Sequence, residues 1–388
     1  MFIAATIPVT AVGEYARLVN WATFAAPYLT LGLVPYFTRE LGKHNREETP
    51  AAVQQGVGRI LLLVFLGLTS LVAAIGLDNT LGSGLITQAV YALSISSVIA
   101  GSLLIGGMFR GLGLPLWADL PLYLAAPCVM AIGIVSLRPQ TGDGLFLVFC
   151  SAQLLAFLVL GYRLARYANW HFKRVPGPDF SLLLLTSIAS TSLITAGQLA
   201  LAGARFDATY MANLHLGYVF ANSVNLAFSS ILAVHQKDIS KAHSLDCKHE
   251  LQRTLNQINK ALFSIGVPIL IAIAIAVPIV QTFLPTDYEL FTPIAFLFLL
   301  GQAFNFAGGP SATFFLMVGG EKHLNYTLFT SGVIGLFVAY WAAEVSVEAF
   351  VICLTLMTLA WNAILVYLAR TVYGVHLHVF SFLLKSRA

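Results

Sequence analysis

Charged residues are scarce along this chain of 388 residues. Asp, Glu, Lys and Arg make up 10% of it, whereas 58% is hydrophobic and the mean hydropathy is +0.82. A soluble domain with this composition would have a largely apolar exterior. The scarcity of charge excludes an ordinary soluble protein and predicts a chain surrounded by lipid.

Two further absences narrow the class. The four cysteines show neither a disulfide framework nor the spacing of metal ligands, so we expect no metal site and no cofactor. No polar stretch is long enough for a separate soluble domain. The net charge of +4 is distributed in a way that indicates membrane topology and not nucleic-acid binding.

What the sequence does contain is a series of about eleven long, almost uncharged runs. Each is close to the length of about 20 residues that a membrane-spanning helix needs, and lipid cannot satisfy the backbone of an open strand. The sequence therefore predicts an all-α, polytopic transmembrane helical bundle. The runs lie at 16–37, 58–77, 84–106, 117–137, 144–166, 181–203, 208–234, 261–283, 290–316, 323–343 and 346–369.

Met1 is followed by an apolar stub, residues 2–12, that is too short to span a membrane and lacks the basic flank of a signal peptide. It has the pattern of the outer half of a helix. We therefore expect that the true start lies upstream of Met1 or that the first helix is truncated.

Basic residues fall almost entirely on one side of the predicted bundle. Of the 21 Lys and Arg residues, only Arg17, Arg138 and Arg205 lie in the set of connections that alternates with the basic ones. The basic set is therefore predicted to be cytoplasmic, with the C-terminus inside. The opposite loops are too short to house the catalytic or acidic loops of a membrane glycosyltransferase or ligase, so that class is disfavoured and no enzymatic activity is expected.

Polar stretches divide the runs into two groups. The segment 168–180 contains a PGP breaker and predicts an N-terminal bundle at 1–170, a cytoplasmic linker at 171–180 and a C-terminal bundle at 181–388. A second polar stretch, 236–258, is predicted to be a helical elbow at the cytoplasmic interface. GGMFRGLGLPLW at 106–117 has a counterpart in FLMVGGEKHLNY at 315–326, which indicates two parallel halves.

Four stretches resemble the polysaccharide exporters and lipid-linked oligosaccharide flippases of the multidrug/oligosaccharidyl-lipid/polysaccharide (MOP) superfamily. GEYARLVNWATFAAPYLTLGLVPYFTREL at 13–41 is similar to that family's outer turn with Glu-Tyr and the span after it. MFRGLG at 108–113 resembles its short cytoplasmic turn. FLPTDYELFTPIAFLFLLGQAFNFAGGP at 283–310 resembles its outer loop and tenth helix, and FLMVGGEKHLNY resembles the Gly-rich turn that follows.

The resemblance implies two six-helix halves around a central cleft that opens alternately to each face of a bacterial inner membrane, the first helix being cut short here. The implied substrate is an undecaprenyl-diphosphate-linked oligosaccharide or polysaccharide precursor, such as that of a lipopolysaccharide O-antigen. Further implied partners are membrane lipids and glycan-assembly proteins, and nucleic acid is not among them. The resemblance allows transport to be coupled to protons or to sodium ions. The alternative is a cation-coupled multidrug antiporter of the same superfamily.

Four charged residues are candidates for the transport path. Arg17 lies in an otherwise apolar helix and either contacts a substrate phosphate, pairs with Glu14 or reaches the interface. Arg205 lies either at the rim of the cleft or in a solvated turn. Arg110 either lines the cytoplasmic opening of the transport path or is there only because basic residues concentrate in cytoplasmic loops. Asp119 either caps a helix, pairs with Arg110 or binds a coupling ion.

Four uncharged residues complete the set. His215, Asn222 and Asn225 recur at helical spacings of seven and three, so they either line a wet cleft as one stripe or form hydrogen bonds between helices. Members of the resembled family often have an acidic residue in the helix that contains Gln198. The absence of that acidic residue from this chain disfavours cation coupling through this helix.

Overall fold

The computed structural model describes residues 7–34, 36–38, 49–81, 85–166, 182–244 and 247–383. Helices account for nearly all of these residues, among which there is no β-strand. The helices of the first half are α1 (Val9–Leu29), α2 (Thr49–Leu81), α3 (Leu85–Gly111), α4 (Pro115–Leu120), α5 (Ala126–Leu137), α6 (Gly142–Ala165) and α7 (Leu182–Arg205). A π-helical segment, Pro121–Ala125, joins α4 to α5.

The second half continues in the same way. Its helices are α8 (Ala208–Asn222), α9 (Val224–Ser244), α10 (Lys248–Gln281), α11 (Phe291–Ala307), α12 (Ser311–Met317), α13 (Glu321–Ala342) and α14 (Val347–Leu368). Short 3₁₀ turns occur at Thr286–Tyr288 and Val379–Leu383, and α14 runs on into a π-helical turn at Ala369–Tyr373.

The all-α prediction is confirmed, since the described part of every predicted run is helical over most of its length. Among the described residues, six helical segments are long and apolar enough to cross a membrane. They are Val90–Gly111, Gly142–Ala165, Lys248–Gln281, Thr286–Ala307, Glu321–Ala342 and Val347–Tyr373. Large apolar side chains are also exposed on many helices, as a multi-pass membrane protein requires, for example Phe65 on α2 at 66% and Phe337 on α13 at 65%.

Contacts divide the chain into two compact units, Phe2–Gly203 and Ala204–Ala388. In the first unit, α1 packs against α3 and α6, and α2 packs against α3. A buried apolar cluster with Phe37, Leu104, Met108 and Phe109 fills the space between these elements. In the second unit, α8 packs on α11, α9 on α10, and α14 on both α11 and α13. The predicted linker at 171–180 lies outside the described residues, so the predicted domain limits stay a prediction.

Three details of the sequence interpretation were wrong. Glu14 and Tyr15 do not form an outer turn, because α1 runs through both of them from Val9. The stretch 236–258 is not a separate elbow, because it consists of the ends of α9 and α10, and α10 is continuous with its apolar half. The predicted runs 208–234 and 290–316 are each two helices and not one, with interruptions at Ser223 and at Gly308–Pro310.

Candidate functional site

Two interrupted helices lie in the unit Ala204–Ala388. The first interruption separates α8 from α9 at Ser223, whose N–H bonds to the carbonyl of Phe220 at 3.3 Å. The N–H of Leu226 in turn bonds to the Ser223 carbonyl at 3.2 Å. Both bonds join residues three apart, the pattern of a tight 3₁₀ turn. With a rise of 1.5 Å per residue, Asn222 lies about 20 Å along the helix axis from the start of α8.

The second interruption separates α11 from α12 at Gly308–Pro310. Gly309 has a φ of +68°, a conformation that costs glycine nothing, and Pro310 has no N–H with which to continue a helix. A Cβ on Gly308 would lie only 2.5 Å from Oδ1 of Asn362 on α14. The glycine therefore makes room for an amide side chain next to the break.

Amide side chains connect the two interruptions. Nδ2 of Asn225 donates to Oδ1 of Asn222 at 2.6 Å, and Nε2 of Gln302 donates to the same oxygen at 3.3 Å. We call the whole set the amide network, because five of its six members are carboxamides: Asn222, Asn225, Gln302, Asn305, Asn362 and Ser311.

The network continues from α9 through α11 to α14. Nδ2 of Asn305 donates to Oδ1 of Asn225 at 3.4 Å, and Nδ2 of Asn362 donates to Oδ1 of Asn305, also at 3.4 Å. The hydroxyl of Ser311 donates to Oδ1 of Asn362 at 3.2 Å. Several of these bonds are long, so the network can exchange partners at little energetic cost.

The network carries no net charge, and one of its hydrogen-bond acceptors is unsatisfied. Oε1 of Gln302 is buried, and no residue in the described part of the chain donates to it. A buried carbonyl without a donor costs free energy, which a hydroxyl or amide donor from a bound molecule would recover. Amides also act as donor and acceptor at once, as a polyhydroxylated ligand requires.

The end of this unit where α8 begins and α10 ends is held by a separate set of bonds. Asn213 on α8 is buried, and its Nδ2 donates to the carbonyl of Asp287 in the loop before α11 at 3.0 Å. Nε2 of Gln281 donates to the carbonyl of Tyr288 at 3.1 Å, and its Oε1 accepts from Thr292 at 3.1 Å. These bonds position α8, α10 and α11 relative to one another and thereby help to align the amide network.

The predicted site residues of this unit have different surroundings. Asn222 and Asn225 contact each other within the network, although they belong to two helices and not to a single stripe. His215 lies seven residues before Asn222 on α8, mostly buried. Arg205 is the last residue of α7, just before α8, and donates to Glu344 at 2.7 Å, with its guanidinium 3.8 Å from the ring centroid of Tyr340.

The predicted site residues of the first unit are spread over several helices. Arg17 is half-buried on α1, and its aliphatic stem packs against Gly203 of α7. Gln198 is buried in α7, with 6% of its surface exposed. Arg110 is half-buried in the last turn of α3. Asp119 lies inside α4, which begins at Pro115, so it is not an N-cap, and its side chain lies outside the part that the structure describes.

Sequence analysis missed four members of the network: Gln302, Asn305, Ser311 and Asn362. Two of them carried a signal, since Gln302 and Asn305 are three residues apart in an otherwise apolar run. Asn362 is the single carboxamide of α14, and its place in the network is evident only from its contacts with the distant Asn305 and Ser311. No group of three or more His, Cys, Asp or Glu residues in the described ranges could hold a metal ion.

No protein-family model matches the sequence, and no curated protein matches it. Solved structures do match. The inward-facing conformation of a multidrug resistance MATE family transporter of the MOP superfamily is 14% identical with a TM-score of 0.60, over 91% of this chain and 88% of that one. The outward-facing conformation of such a transporter is 14% identical with a TM-score of 0.61, over 94% of this chain and 87% of the other.

A third similar structure is a MOP superfamily transporter from Pyrococcus furiosus, for which a reversed polarity of the binding pocket suggests a different function. It is 15% identical with a TM-score of 0.55, over 93% of this chain and 87% of that one. At such identities the likeness concerns the fold. The chain therefore has a two-halved fold like that of the MATE transporters, and the fold that the sequence resemblance implied is confirmed.

Proposed function

We propose that this protein is a transporter that moves a polyprenyl-diphosphate-linked oligosaccharide across a bacterial inner membrane by alternating access. It performs no catalysis on the glycan. The fold shared with solved transporters of the MOP superfamily supports the transport activity. The observation that carries the choice of substrate is the neutral amide network in the second unit.

Sugars are recognised by groups that both donate and accept hydrogen bonds. Each network amide provides an N–H₂ and a carbonyl, and Oε1 of Gln302 is a buried acceptor with no donor among the described residues. All Asp and Glu residues of this half lie near helix ends or in connections, outside the middle of its predicted runs. A neutral, hydrogen-bonding surface fits hydroxyl groups better than it fits a cationic drug.

The diphosphate needs different groups, because an anion is costly in lipid without cations or hydrogen-bond donors. Arg17 is our candidate for the phosphate contact, because its guanidinium presents a fork of N–H donors and the rest of α1 after it carries no charge. Arg205 is a weaker candidate, because it already contacts Glu344 and Tyr340. Arg110 and the other basic residues of its face would attract the substrate to the side where it enters.

The second candidate is a small-molecule antiporter of the same superfamily. Its specific support is that two of the similar structures are multidrug resistance transporters. Cation coupling would need a buried titratable group, for which Asp119 and His215 are the candidates. The glycosyltransferase hypothesis has no comparable support.

Deletion of the gene distinguishes a flippase from an antiporter. For a flippase, the completed lipid-linked glycan accumulates on the cytoplasmic leaflet, and expression of the intact protein restores its exposure outside. An Arg17→Gln variant that reaches wild-type levels in the membrane restores it poorly, whereas Arg138→Gln, a matched outer-face control, restores it fully. Normal glycan together with new sensitivity to drugs or cations would contradict the flippase and favour the antiporter.

A further inference from the structure

Helix α10 presents one continuous exposed stripe along almost its full length. The stripe follows a helical spacing of three and four residues through positions 249, 253, 257, 260, 264, 268, 271 and 275, all of which are exposed. The opposite face is buried by the rest of the unit, with Leu255, Ile258 and Leu262 fully inside. The stripe is thus the outward surface of this helix.

The chemistry of the stripe changes abruptly along the helix. Its first half carries His249, Arg253 and Lys260, and its second half carries Ile271 and Ile275, which are 53% and 60% exposed. The change falls where the apolar, membrane-spanning half of α10 begins. The basic half suits the anionic headgroup of an amphipathic molecule, and the apolar half suits its hydrocarbon chain.

A recess of about 540 Å³ lies over the basic half. His249, Arg253 and Lys260 line it together with the amides of Gln252 and Asn256 and the ring of Phe382. Phe382 belongs to the C-terminal 3₁₀ turn, and its ring centroid lies 5.6 Å from that of Phe263 on α10. The recess therefore has cationic donors at its base and an aromatic wall at its side.

One carboxylate lies close to these cations. Glu250 is 3.6 Å from Arg253, but both side chains are largely exposed, at 45% and 65%. Such a surface ion pair contributes little free energy, so Arg253 can exchange it for a phosphate, with which it forms shorter, charge-assisted bonds. Lys260 lies two turns further along, next to the apolar half.

We propose that the stripe on α10 is a binding site for an anionic phospholipid of the surrounding bilayer. The phosphate is held by Arg253, Lys260 and His249 in the recess, and an acyl chain lies along Ser264, Ile271 and Ile275. The basic recess is on the face predicted to be cytoplasmic, where polybasic segments attract anionic lipids. This site is separate from the amide network and does not depend on which substrate the protein transports.

Lipid retention by the full-length protein tests the proposal. The protein is incorporated into nanodiscs of phosphatidylglycerol and phosphatidylcholine in equal amounts, and the lipids that it retains on mild delipidation are counted by native mass spectrometry. We expect phosphatidylglycerol to be retained preferentially. The double variant Arg253→Gln/Lys260→Gln should lower its apparent affinity at least tenfold, because each basic residue near the surface contributes about a fivefold effect. Thermal unfolding checks that these exposed substitutions leave the fold intact.

The control is Lys322→Gln, another exposed lysine on the same predicted face, which should keep the preference. Equal retention of the two lipids by the wild type would overturn the proposal. So would an equal loss in Lys322→Gln, because that result indicates general surface charge. Displacement by millimolar inorganic phosphate or glycerol phosphate would indicate a site for a free anion, and it would overturn the lipid assignment.

Discussion

At the scale of single residues, Gly308 lies against the side chain of Asn362, a member of the amide network. A methyl group at position 308 would lie 2.5 Å from the amide oxygen of Asn362, and the backbone of the next residues, Gly309 and Pro310, cannot shift freely. We predict that Gly308→Ala destabilises the protein by about 1–3 kcal/mol, the usual cost of overpacking. The unfolding midpoint in detergent measures this loss.

Gly161→Ala is the matched control, because Gly161 lies inside α6 and a Cβ there meets no atom within 4 Å. That change should be neutral or slightly stabilising, since alanine favours helix. The contact itself is tested by adding Asn362→Ala, which should recover part of the loss caused by Gly308→Ala. Equal unfolding midpoints for the two glycine variants would contradict the assignment.

At the scale of elements, the C-terminal segment after α14 is docked onto α10 by side-chain amides. Nδ2 of Asn259 donates to the carbonyl of Leu377 at 3.1 Å and to the hydroxyl of Ser381 at 2.8 Å. Gln252 forms two bonds with the backbone of His376, accepting from its N–H at 2.7 Å and donating to its carbonyl at 3.1 Å. The segment is therefore held by buried polar contacts and not by apolar packing alone.

We predict that Asn259→Leu releases this segment. The change leaves the Leu377 carbonyl and the Ser381 hydroxyl oxygen without the N–H donor of Asn259 in a buried position, at a cost of about 1–3 kcal/mol. Hydrogen exchange of residues 375–383 should accelerate, whereas Ser264→Ala, an exposed change on the same helix, should leave it unaltered. Unchanged protection in Asn259→Leu would show that the amide does not hold the segment.

The docked segment should also respond to acid. Burial lowers the pKa of His378, and the neighbouring His376 and Arg370 lower it further. Because the released segment binds a proton more readily than the docked one, docking is strongest above the ordinary histidine pKa of about 6.5 and weakens as the pH falls below it. Hydrogen exchange of this segment, corrected for its intrinsic rate, should be faster at pH 5 than at pH 7.5, and His378→Gln should reduce the difference. Slower exchange in acid would contradict this.

The helices themselves could be predicted from the sequence, because hydropathy reports which stretches lie in lipid. The interruption at Ser223 could not, since no Gly or Pro marks it, and the residues beside it bond to amides of α11 that are distant in the sequence. The first turns of α10 were predicted to be helical, but their continuity with the apolar half was not predicted, because most of their residues are polar. The link from Asn305 to Asn362 joins residues 57 apart, a pairing that no local pattern contains.

At the scale of the whole molecule, the distribution of basic residues predicts one orientation in the membrane. Cys247 is an exposed thiol between α9 and α10 on the basic side, and Val345 is 80% exposed on the opposite side. In variants with a single cysteine, a membrane-impermeant maleimide should label Cys247 in inverted vesicles but not in spheroplasts. Val345→Cys should show the reverse. Labelling of Cys247 from outside would contradict the predicted orientation.

The central claim is that the chain translocates a lipid-linked glycan and recognises it through the amide network. The direct measurement uses proteoliposomes loaded with the lipid-linked glycan that accumulates in the deletion strain, and it follows the exposure of the glycan to external periodate over time. We predict that the wild-type protein speeds exposure well above that in protein-free vesicles. Asn305→Leu should slow it by about five- to tenfold, the loss expected when hydrogen bonds are removed, and Thr358→Val, which removes only a bond within α14, should not. Exposure at the protein-free rate, or equal rates for Asn305→Leu and the wild type, would contradict the account.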